Sequence, residues 1–550
     1  MRPSIQKGIA LGALLALVAG GGCKVGSDYA APQATVNSSY IQIDDSKGIR
    51  QQVGADVASW WNQIQDPVLA RLTSEAVSNN LSLHEAMYRI QAARAMLGST
   101  QANQYPQIAA AGGYTYGRSS RLRSSYENYN FSTAMAWEVD LFGRLERANE
   151  VAAANMEEYR ELYRQTYVYV CANIANLYGN ARSYQEQIRI SEENIEIQQQ
   201  TLDITRTKSE LGSASKLDES QALGICRGTE SSVLVLQTLY QTTLNQISVL
   251  VGRPPGHVDE MMRSPAPIPS APEEIMVGIP AELLRRRPDI RAAEQRVVAQ
   301  NARVGVAIGD IYPVFAINGT FGLDANSFSN MFDSDAIDAG VGPSFRWNIL
   351  NFGKYRLNIE AQEFALQGQI TAYREAVLEA VQEVDDALVS YVNERDRLGT
   401  LSDAVDAYTD AYNLSNERYK SGQIDFQRLL DSQAGKLSYE LQYIQCRASM
   451  FTAVVNLYRA LGGDWMGTGN MQTGEYLPTE QVSSDSPVAL SDASNVRTSG
   501  ERYTTREQEE MAYDPNAEWN ERQERSRERV SMDLRDVELD SSFISTDVEF

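Results

Sequence analysis

Two intervals bounded by glycines recur in this chain with identical lengths, and they restrict what it can fold into. Each copy has an outgoing interval of 69 residues and a return interval of 40 residues. The bounding glycines are Gly143, Gly212 and Gly252 in the first copy, and Gly353, Gly422 and Gly462 in the second. As helices, these intervals would be roughly 100 Å and 60 Å long. A period of 210 residues is far longer than a solenoid unit, so the pattern indicates a duplicated domain built on a long helical hairpin.

The two legs of each hairpin differ in length, which leaves 29 residues of the outgoing helix without a partner. Helical patterns of about that length, Leu72–Thr100 and Glu282–Asp310, occur earlier in each copy. We therefore expect two shorter helices to stack end to end alongside each long one.

The spacing of apolar residues changes along the second long helix. From Ile370 to Val392 the apolar steps average about 3.7 residues, which favours a nearly straight helix. From Leu398 to Tyr419 steps of 3 and 4 alternate, and this heptad spacing predicts left-handed coiling. Near Gly422, the helices are therefore expected to wind together and narrow the space that they enclose.

Each copy also contains two segments of about 10 residues in which apolar and polar side chains alternate. These segments are 107–117, 131–141, 314–323 and 341–349. Aromatic-rich alternation of this kind suits the wall of a membrane β-barrel, although a half-buried soluble sheet has a similar pattern. The smallest membrane barrels need about eight strands, so four cannot close one. The pattern predicts an oligomer, in which two chains would supply eight strands and three would supply twelve.

The composition argues against several other classes of protein. The chain has 550 residues and a formal charge of −23, which disfavours binding to nucleic acid. Two histidines and four cysteines leave little for a transition-metal or redox enzyme, so we expect no metal, no cofactor and no enzymatic activity. Ser213 and Lys216 fit the S-x-x-K pattern of penicillin-recognising acyltransferases, but the S-D-N and K-T-G motifs that accompany it are missing.

The amino terminus has the features of a secretory signal. Arg2 and Lys7 precede an apolar run from Ile9 to Ala19, and small residues then lead to Cys23. This arrangement predicts a signal peptide over residues 1–22 and lipidation of Cys23, with an ordinary signal peptide and an incidental cysteine as the alternative. A single set of acyl chains anchors weakly, so a second membrane element is expected.

The remaining segments divide the chain into units. A polar tether (23–58) leads into the first repeat (59–256), and a proline-rich linker (257–280) leads into the second (281–465). From Asp464 onward the chain has 20 acidic and 8 basic residues, and residues 466–550 are expected to form an acidic, disordered tail.

Four strings of residues carry a family resemblance. They are Gly22–Tyr29 (GCKVGSDY), Trp137–Arg144 (WEVDLFGR), Ile279–Glu294 (IPAELLRRRPDIRAAE) and Ala460–Trp465 (ALGGDW). On these strings the chain resembles the TolC-like outer-membrane efflux channel family, in the lipoprotein branch typified by OprM and NodT. The resemblance covers about residues 23 to 465.

The resemblance implies a mostly α-helical fold with a transmembrane β-barrel. Three copies would form a twelve-stranded barrel in the outer membrane, continued by a twelve-helix α-barrel across the periplasm. The implied function is that of a passive exit channel, lipid-anchored in the outer membrane. Its implied partners are a periplasmic adaptor and an inner-membrane pump of the resistance-nodulation-division type. A channel for type I protein secretion and a pore-free periplasmic coiled-coil scaffold remain as alternatives.

The resemblance also implies roles for the two helix reversals. Leu211, Gly212 and Ser213 form one tip, and the other tip consists of Ser421, Gly422 and Gln423. Glycine suits a tight reversal for structural reasons, because such a turn often needs a positive φ. The family implies in addition that these tips dock to the adaptor.

Three charged residues follow the second tip at helical spacing. Asp425, Arg428 and Asp431 would share one face of a helix. The family has an aspartate in its constricted pore where Asp431 falls, so three copies would form a charge ring there. The alternative is an exposed salt bridge along the helix, worth a few tenths of a kcal/mol.

Overall fold

The computed structural model describes residues 24–33, 37, 39–41, 49–51, 64, 66–119, 124–270, 275–277, 280–281 and 286–463. The predicted signal peptide (1–22), the lipidation residue Cys23 and the acidic tail (466–550) lie outside these residues. The described part of the chain is mostly helical, with a smaller amount of sheet. None of its helices is both long enough and apolar enough to cross a lipid bilayer.

The helices of the two copies match in length. The helices are α1 (Pro67–Asn79), α2 (Leu81–Ala102), α3 (Arg144–Glu210), α4 (Lys216–Leu250), α5 (Pro288–Gly309), α6 (Lys354–Lys420) and α7 (Phe426–Ala460), with one helical turn at Asp259–Met262. Helices α3 and α6 have 67 residues each, α4 and α7 have 35, and α2 and α5 have 22. The predicted long helical hairpins are confirmed in both copies.

The shorter helices meet end to end beside each long helix, as predicted. Helices α2 and α4 both pack on α3, and the Asn80 side-chain amide at the start of α2 donates to the Leu250 carbonyl at the end of α4, 2.7 Å away. Helices α5 and α7 both pack on α6, and Arg287 Nη1 donates to the Ala460 carbonyl at 2.8 Å. Each junction thus satisfies a carbonyl that the end of a helix leaves unpaired.

The helices that precede the strands differ from the prediction of single segments of about 29 residues. In the first copy the helix is broken at Asn80, whose extended backbone ends α1 and whose side chain accepts from the Leu83 amide to begin α2. In the second copy α5 begins at Pro288, because the residue before a proline is pushed out of the helical region, and Arg287 is extended.

Four strands form one antiparallel sheet. They are β2 (Gln107–Ser119), β3 (Ser124–Val139), β5 (Val314–Ala325) and β6 (Ile337–Arg346), and they pair in the order β2-β3-β5-β6. A minor parallel pair joins β1 (Ile49–Gln51) to β4 (Ile275–Val277). In the described residues, β2 and β6 are the edges of the larger sheet, with one hydrogen-bonded neighbour each.

The register places the predicted apolar positions of all four strands on one face. Tyr114 pairs with Tyr129, Thr133 with Phe321, and Ile317 with Pro343. Because side chains alternate along a strand, the same face also carries Ile108, Phe131, Met135, Trp137, Phe315, Leu323, Ile337, Val341 and Phe345. The opposite face carries Asn128, Asn130, Ser132, Glu138, Asn318, Thr320, Asp324, Asp338, Ser344 and Arg346. The predicted alternation is confirmed, and it is continuous across the sheet.

The hydrophobic core lies midway along the long helices, around the two end-to-end junctions. Its fully buried members include Ile174 and Tyr178 on α3, Leu388 and Tyr391 on α6, and Phe451 on α7. A second, smaller core lies near the hairpin ends and consists of Leu202, Ala222, Tyr412, Tyr419, Phe426, Leu429 and Leu430. The helices are therefore held at two levels, and the tips are stabilised separately from the middle.

All six glycines that define the repeated intervals have a left-handed backbone, with φ between 73° and 85°. They lie just before each long helix and just after each helix of a hairpin, where a residue with a Cβ would be strained. The position after α4 is the most constrained, because an added Cβ on Gly252 would lie 2.2 Å from the Asn79 carbonyl oxygen.

We expect Gly252→Ala to destabilise the protein by about 2–4 kcal/mol. Roughly 1–2 kcal/mol comes from the left-handed backbone and the rest from overlap with a backbone oxygen that cannot rotate away. Gly256→Ala is the matched control, because Gly256 also has a positive φ but no atom lies near its added Cβ. Loss of helical circular dichroism on heating measures both; equal shifts in the two variants would contradict the packing argument.

Candidate functional site

The two hairpin tips have the same local structure. In each, the amide two residues after the end of the long helix is a left-handed glycine, Gly212 or Gly422, and the next amide reaches back into the helix. The Ser213 amide donates to the Lys208 carbonyl at 2.8 Å, and the Gln423 amide donates to the Arg418 carbonyl at 2.8 Å. These bonds close the last turn of the helix and aim the chain back along it.

The six residues predicted at the tips form two exposed turns. Gly212 and Gly422 have open space around the position of a Cβ, and Leu211 is an exposed apolar side chain. Ser213 Oγ donates to the Lys208 carbonyl, and Ser421 Oγ donates to the Glu417 carbonyl. The serines thus stabilise the turns, which leaves Leu211 and Gln423 as the exposed side chains that can contact another molecule.

The two tips of one chain are joined by a contact that the sequence analysis missed. Tyr419 near the end of α6 lies against the end of α3, where its hydroxyl is 3.2 Å from the Thr205 hydroxyl. Lys208 Nζ lies 3.9 Å from the centre of the Tyr419 ring and also donates to the Tyr419 carbonyl. The heptad spacing placed Tyr419 on the packed face of α6, but nothing in the spacing indicated which helix it would meet.

The charged residues after the second tip are all exposed on one side of α7, as predicted. Among the residues that the structure describes, the aspartates do not pair with Arg428. Asp425 accepts from the Arg428 backbone amide at 3.3 Å as the N-cap of α7, and Asp431 accepts from Gln427 Nε2 at 2.8 Å. The alternative of a salt bridge along the helix is therefore wrong for this structure.

The first hairpin explains why Asp425 is an acidic residue. The equivalent position before α4 is Ser215, whose side chain accepts from the Asp218 amide while Asp218 accepts from the Ser215 amide. Both residues are N-caps, a role that serine and aspartate share. Asp425 thus has a structural task, whereas the carboxylate of Asp431 serves no helix end.

A segment at the amino terminus is fixed where the sheet meets the helices. Buried Arg147 on α3 donates to the Val25 carbonyl at 3.1 Å and to the Gly26 carbonyl at 3.0 Å. Lys24 Nζ donates to Glu150 at 2.6 Å, and the Val25 amide donates to the Phe142 carbonyl. We call residues 24–29 the strap.

The carboxyl of Glu150 is electrostatically tuned by this contact. Burial raises its pKa, but hydrogen bonds from Lys24 and Arg147 outweigh burial, and the net pKa is lowered. A lowered pKa stabilises the strap above the unfolded pKa of glutamate, about 4.3, and the stabilisation is lost as the pH falls through the folded value. Cys23 lies outside the described residues, but its neighbour Lys24 is fixed at the junction of sheet and helix.

Buried Arg287 explains the longest of the resembling strings. Its guanidinium donates to both carboxylate oxygens of Asp289, to Glu383 on α6 at 2.9 Å, and to the last turn of α7 at Ala460. Burial lowers the pKa of Arg287, but the two carboxylates outweigh this and raise it, so it stays charged. One residue thus joins α5, α6 and α7, which is a structural role rather than a catalytic one.

The described ranges contain no group of three or more His, Cys, Asp or Glu residues arranged to hold a metal ion. Cys171, Cys226 and Cys446 are buried, unpaired thiols.

Comparisons with known proteins agree on one family. The family model described as "Outer membrane efflux protein" matches residues 72–253 and 279–463, one match for each copy of the hairpin. The antibiotic efflux pump outer membrane protein ArpC of Pseudomonas putida is 28% identical over 473 residues, which cover 83% of this chain and 96% of ArpC. Nodulation protein T of Rhizobium leguminosarum bv. trifolii is 26% identical over 416 residues, 75% of this chain and 88% of that protein. The solved outer-membrane channel OprN is 31% identical with a TM-score of 0.74, and the match covers 80% of this chain and all of OprN's.

Proposed function

Because the chain belongs to the outer membrane efflux protein family, we propose that it is the exit channel of a tripartite efflux system. In this role it is a passive conduit in the outer membrane for substrates that an inner-membrane pump of the resistance-nodulation-division type expels through a periplasmic adaptor. The observation that carries the proposal is the apolar face of the sheet, which continues across all four strands and is joined directly to hairpins of 67 and 35 residues.

The sheet needs both lipid and further copies of the chain. Its apolar side chains include exposed Ile108, Phe321, Val341 and Phe345. Leaving a large apolar side chain in water forgoes about 1.5–3 kcal/mol, so a bilayer is the favourable surroundings for this face. The edges β2 and β6 also carry unpaired backbone groups, which lipid cannot satisfy, so the sheet must close with strands from other chains.

The duplication indicates which helix a second copy supplies. Helix α5 packs on both α3 and α6, and α7 also packs on both. Their counterparts in the first copy, α2 and α4, have α3 as their long-helix partner. By this symmetry, the missing partner of α2 and α4 is α6 of a neighbouring chain.

Burial supports this assignment. Bulky side chains on α6 are exposed where the residues 210 positions earlier on α3 are buried. The pairs are Leu357 (64% exposed) and Arg147 (2%), Phe364 (69%) and Ala154 (4%), and Leu378 (63%) and Val168 (8%). Leu234 on α4 is likewise 64% exposed, whereas its counterpart Ile444 on α7 is 4% exposed. These surfaces are apolar, as expected of faces that become buried when the chains assemble.

We therefore propose a homotrimer, in which six repeat units close a twelve-stranded barrel and a twelve-helix tunnel. The repeat boundaries (59–256 and 281–465) and the linker (257–280) are part of this proposal. The strap supports lipid anchoring, because it places Lys24 beside the start of α3 and so holds Cys23 near the level where the sheet ends. The acyl chains and the barrel would then be the two membrane elements of one protein.

The neighbouring chains should be joined by a disulfide in the double variant Gly98→Cys with Leu357→Cys. Within one chain, Gly305 on α5 is in close contact with Arg147 on α3. Gly98 and Leu357 are their counterparts, and no atom of the same chain lies near the Cβ position of Gly98. Non-reducing electrophoresis is expected to show cross-linked species of up to three chains.

The control for this cross-link pairs Gly98→Cys with Leu378→Cys, which moves one thiol by 21 residues, or roughly 32 Å along α6. It is expected to stay monomeric on the gel. Cross-linking in the control alone, or in neither variant, would rule out this arrangement of chains.

The tips are the proposed docking sites for the adaptor, through Leu211, Gly212 and Ser213 on one hairpin and Ser421, Gly422 and Gln423 on the other. Gly212→Trp or Gly422→Trp should abolish efflux while heat-labile trimers persist, because the added ring occupies the exposed end of the hairpin. Gly256→Trp is the matched control, since Gly256 has a positive φ and open space but lies in the linker region. Normal drug or metal-ion efflux by both tip variants would exclude docking at the tips.

The proposed constriction consists of three copies of Asp431, with Arg428 and the capping Asp425 beside it. Asp431→Asn should reduce the cation selectivity of the channel in planar bilayers, because it removes three like charges from the narrowest ring. Glu360→Gln makes the same change in charge more than 60 residues from the tip and should alter selectivity little. An unchanged reversal potential in Asp431→Asn would remove the gate assignment, and a protein without any conductance would favour the pore-free scaffold.

A further inference from the structure

The loop between β5 and β6 is an ordered structure at the end of the sheet that lies farthest from the helices. It consists of two short turns, Phe328–Asn330 and Ser334–Ala336. Four backbone hydrogen bonds hold it, including Met331 to Phe328 and Asp333 to Asn330. Ala325 and Ala336 are buried where it leaves and rejoins the strands.

Aromatic rings join this loop to one particular face of the sheet. The rings of Tyr114 and Tyr129 lie 4.8 Å apart on the apolar face. The ring of Phe328 meets Tyr129 edge-on at 5.9 Å, and the ring of Phe332 meets Phe328 at 6.2 Å. The row of four rings therefore extends the apolar face beyond the ends of the strands.

The outermost rings are left uncovered. Phe328 is 63% exposed and Phe332 is 73% exposed. Polar residues alternate with them along the loop, namely Ser327, Ser329, Asn330, Asp333, Ser334 and Asp335. A mixture of aromatic rings and polar groups matches the headgroup region of a bilayer, where aromatic girdles border the apolar band of membrane barrels.

The polar face at the same height has its own arrangement. Asn128 Nδ2 donates to Asp324 at 2.9 Å, and Asn130 Nδ2 donates to Asn128. These groups face away from the aromatic rings, because they alternate with Tyr129 and Ala325 along the strands. The loop thus lies on the side opposite the polar face that would surround the exit.

We propose that residues 326–336 form an aromatic wedge that sits among the lipid headgroups of the outer leaflet. The wedge contacts lipid and leaves the mouth of the channel uncovered. This inference rests on the proposed function, because it requires the apolar face of the sheet to lie in the membrane.

Spin labels at three positions test the wedge in the full-length protein reconstituted into vesicles of phosphatidylethanolamine and phosphatidylglycerol. Phe332→Cys, Val341→Cys and Ser132→Cys are each labelled in a background in which the native cysteines are replaced by alanine. Val341 lies on the apolar face and Ser132 on the polar face. Collision with oxygen reports lipid, and collision with a nickel chelate reports water.

The wedge predicts that the Phe332 label collides several-fold more with oxygen than the Ser132 label does, at a shallower depth than the Val341 label. A Phe332 label as accessible to the nickel chelate as the Ser132 label would overturn the wedge while leaving the channel proposal intact. If the Val341 label is also fully accessible to the chelate, the sheet does not lie in lipid, and the wedge and the membrane channel fail together.

Discussion

The rest of the structure depends on the one-sided character of the sheet. Every second residue on four adjacent strands is apolar or small, and the strand register aligns these residues into one surface. Such a surface requires lipid, while the backbone groups at its two edges require more strands. Both requirements lead to several copies of the chain around an axis. The long hairpins then follow the same axis, because each begins within a few residues of a strand end.

The elements that the sequence predicted well are those encoded by local periodicity. The interval from Gly143 to Gly212 encloses a helix of 67 residues because both glycines take a backbone that ends or precedes a helix. Strand alternation likewise survived the comparison, since a slip of one residue would turn the apolar side chains of a strand to the polar face. Intervals and alternation depend only on neighbours along the chain, and this is why they can be read without the structure.

What the sequence could not supply were the partners of individual side chains. Asp425 and Arg428 have the spacing of a salt bridge, yet the Asp425 carboxylate binds a backbone amide instead. Asn80 gave no sign that it would divide a helix, and its reason is a carbonyl 170 residues away. Arg147 and Tyr419 bind segments more than 120 residues distant in the chain. Of the candidate site, positions were therefore predictable, whereas the roles of single residues depended on contacts between distant segments.

The strap makes the two halves of each chain chemically different. A chain has one amino terminus, so only the first copy of the hairpin binds residues 24–29, through Arg147, and Leu357 replaces that arginine in the second copy. Six similar hairpins around an axis would thus alternate between two kinds, and true symmetry would be threefold. A ligand that circles the tunnel would meet two unequal classes of groove in turn, and evolution could tune one class without disturbing the other.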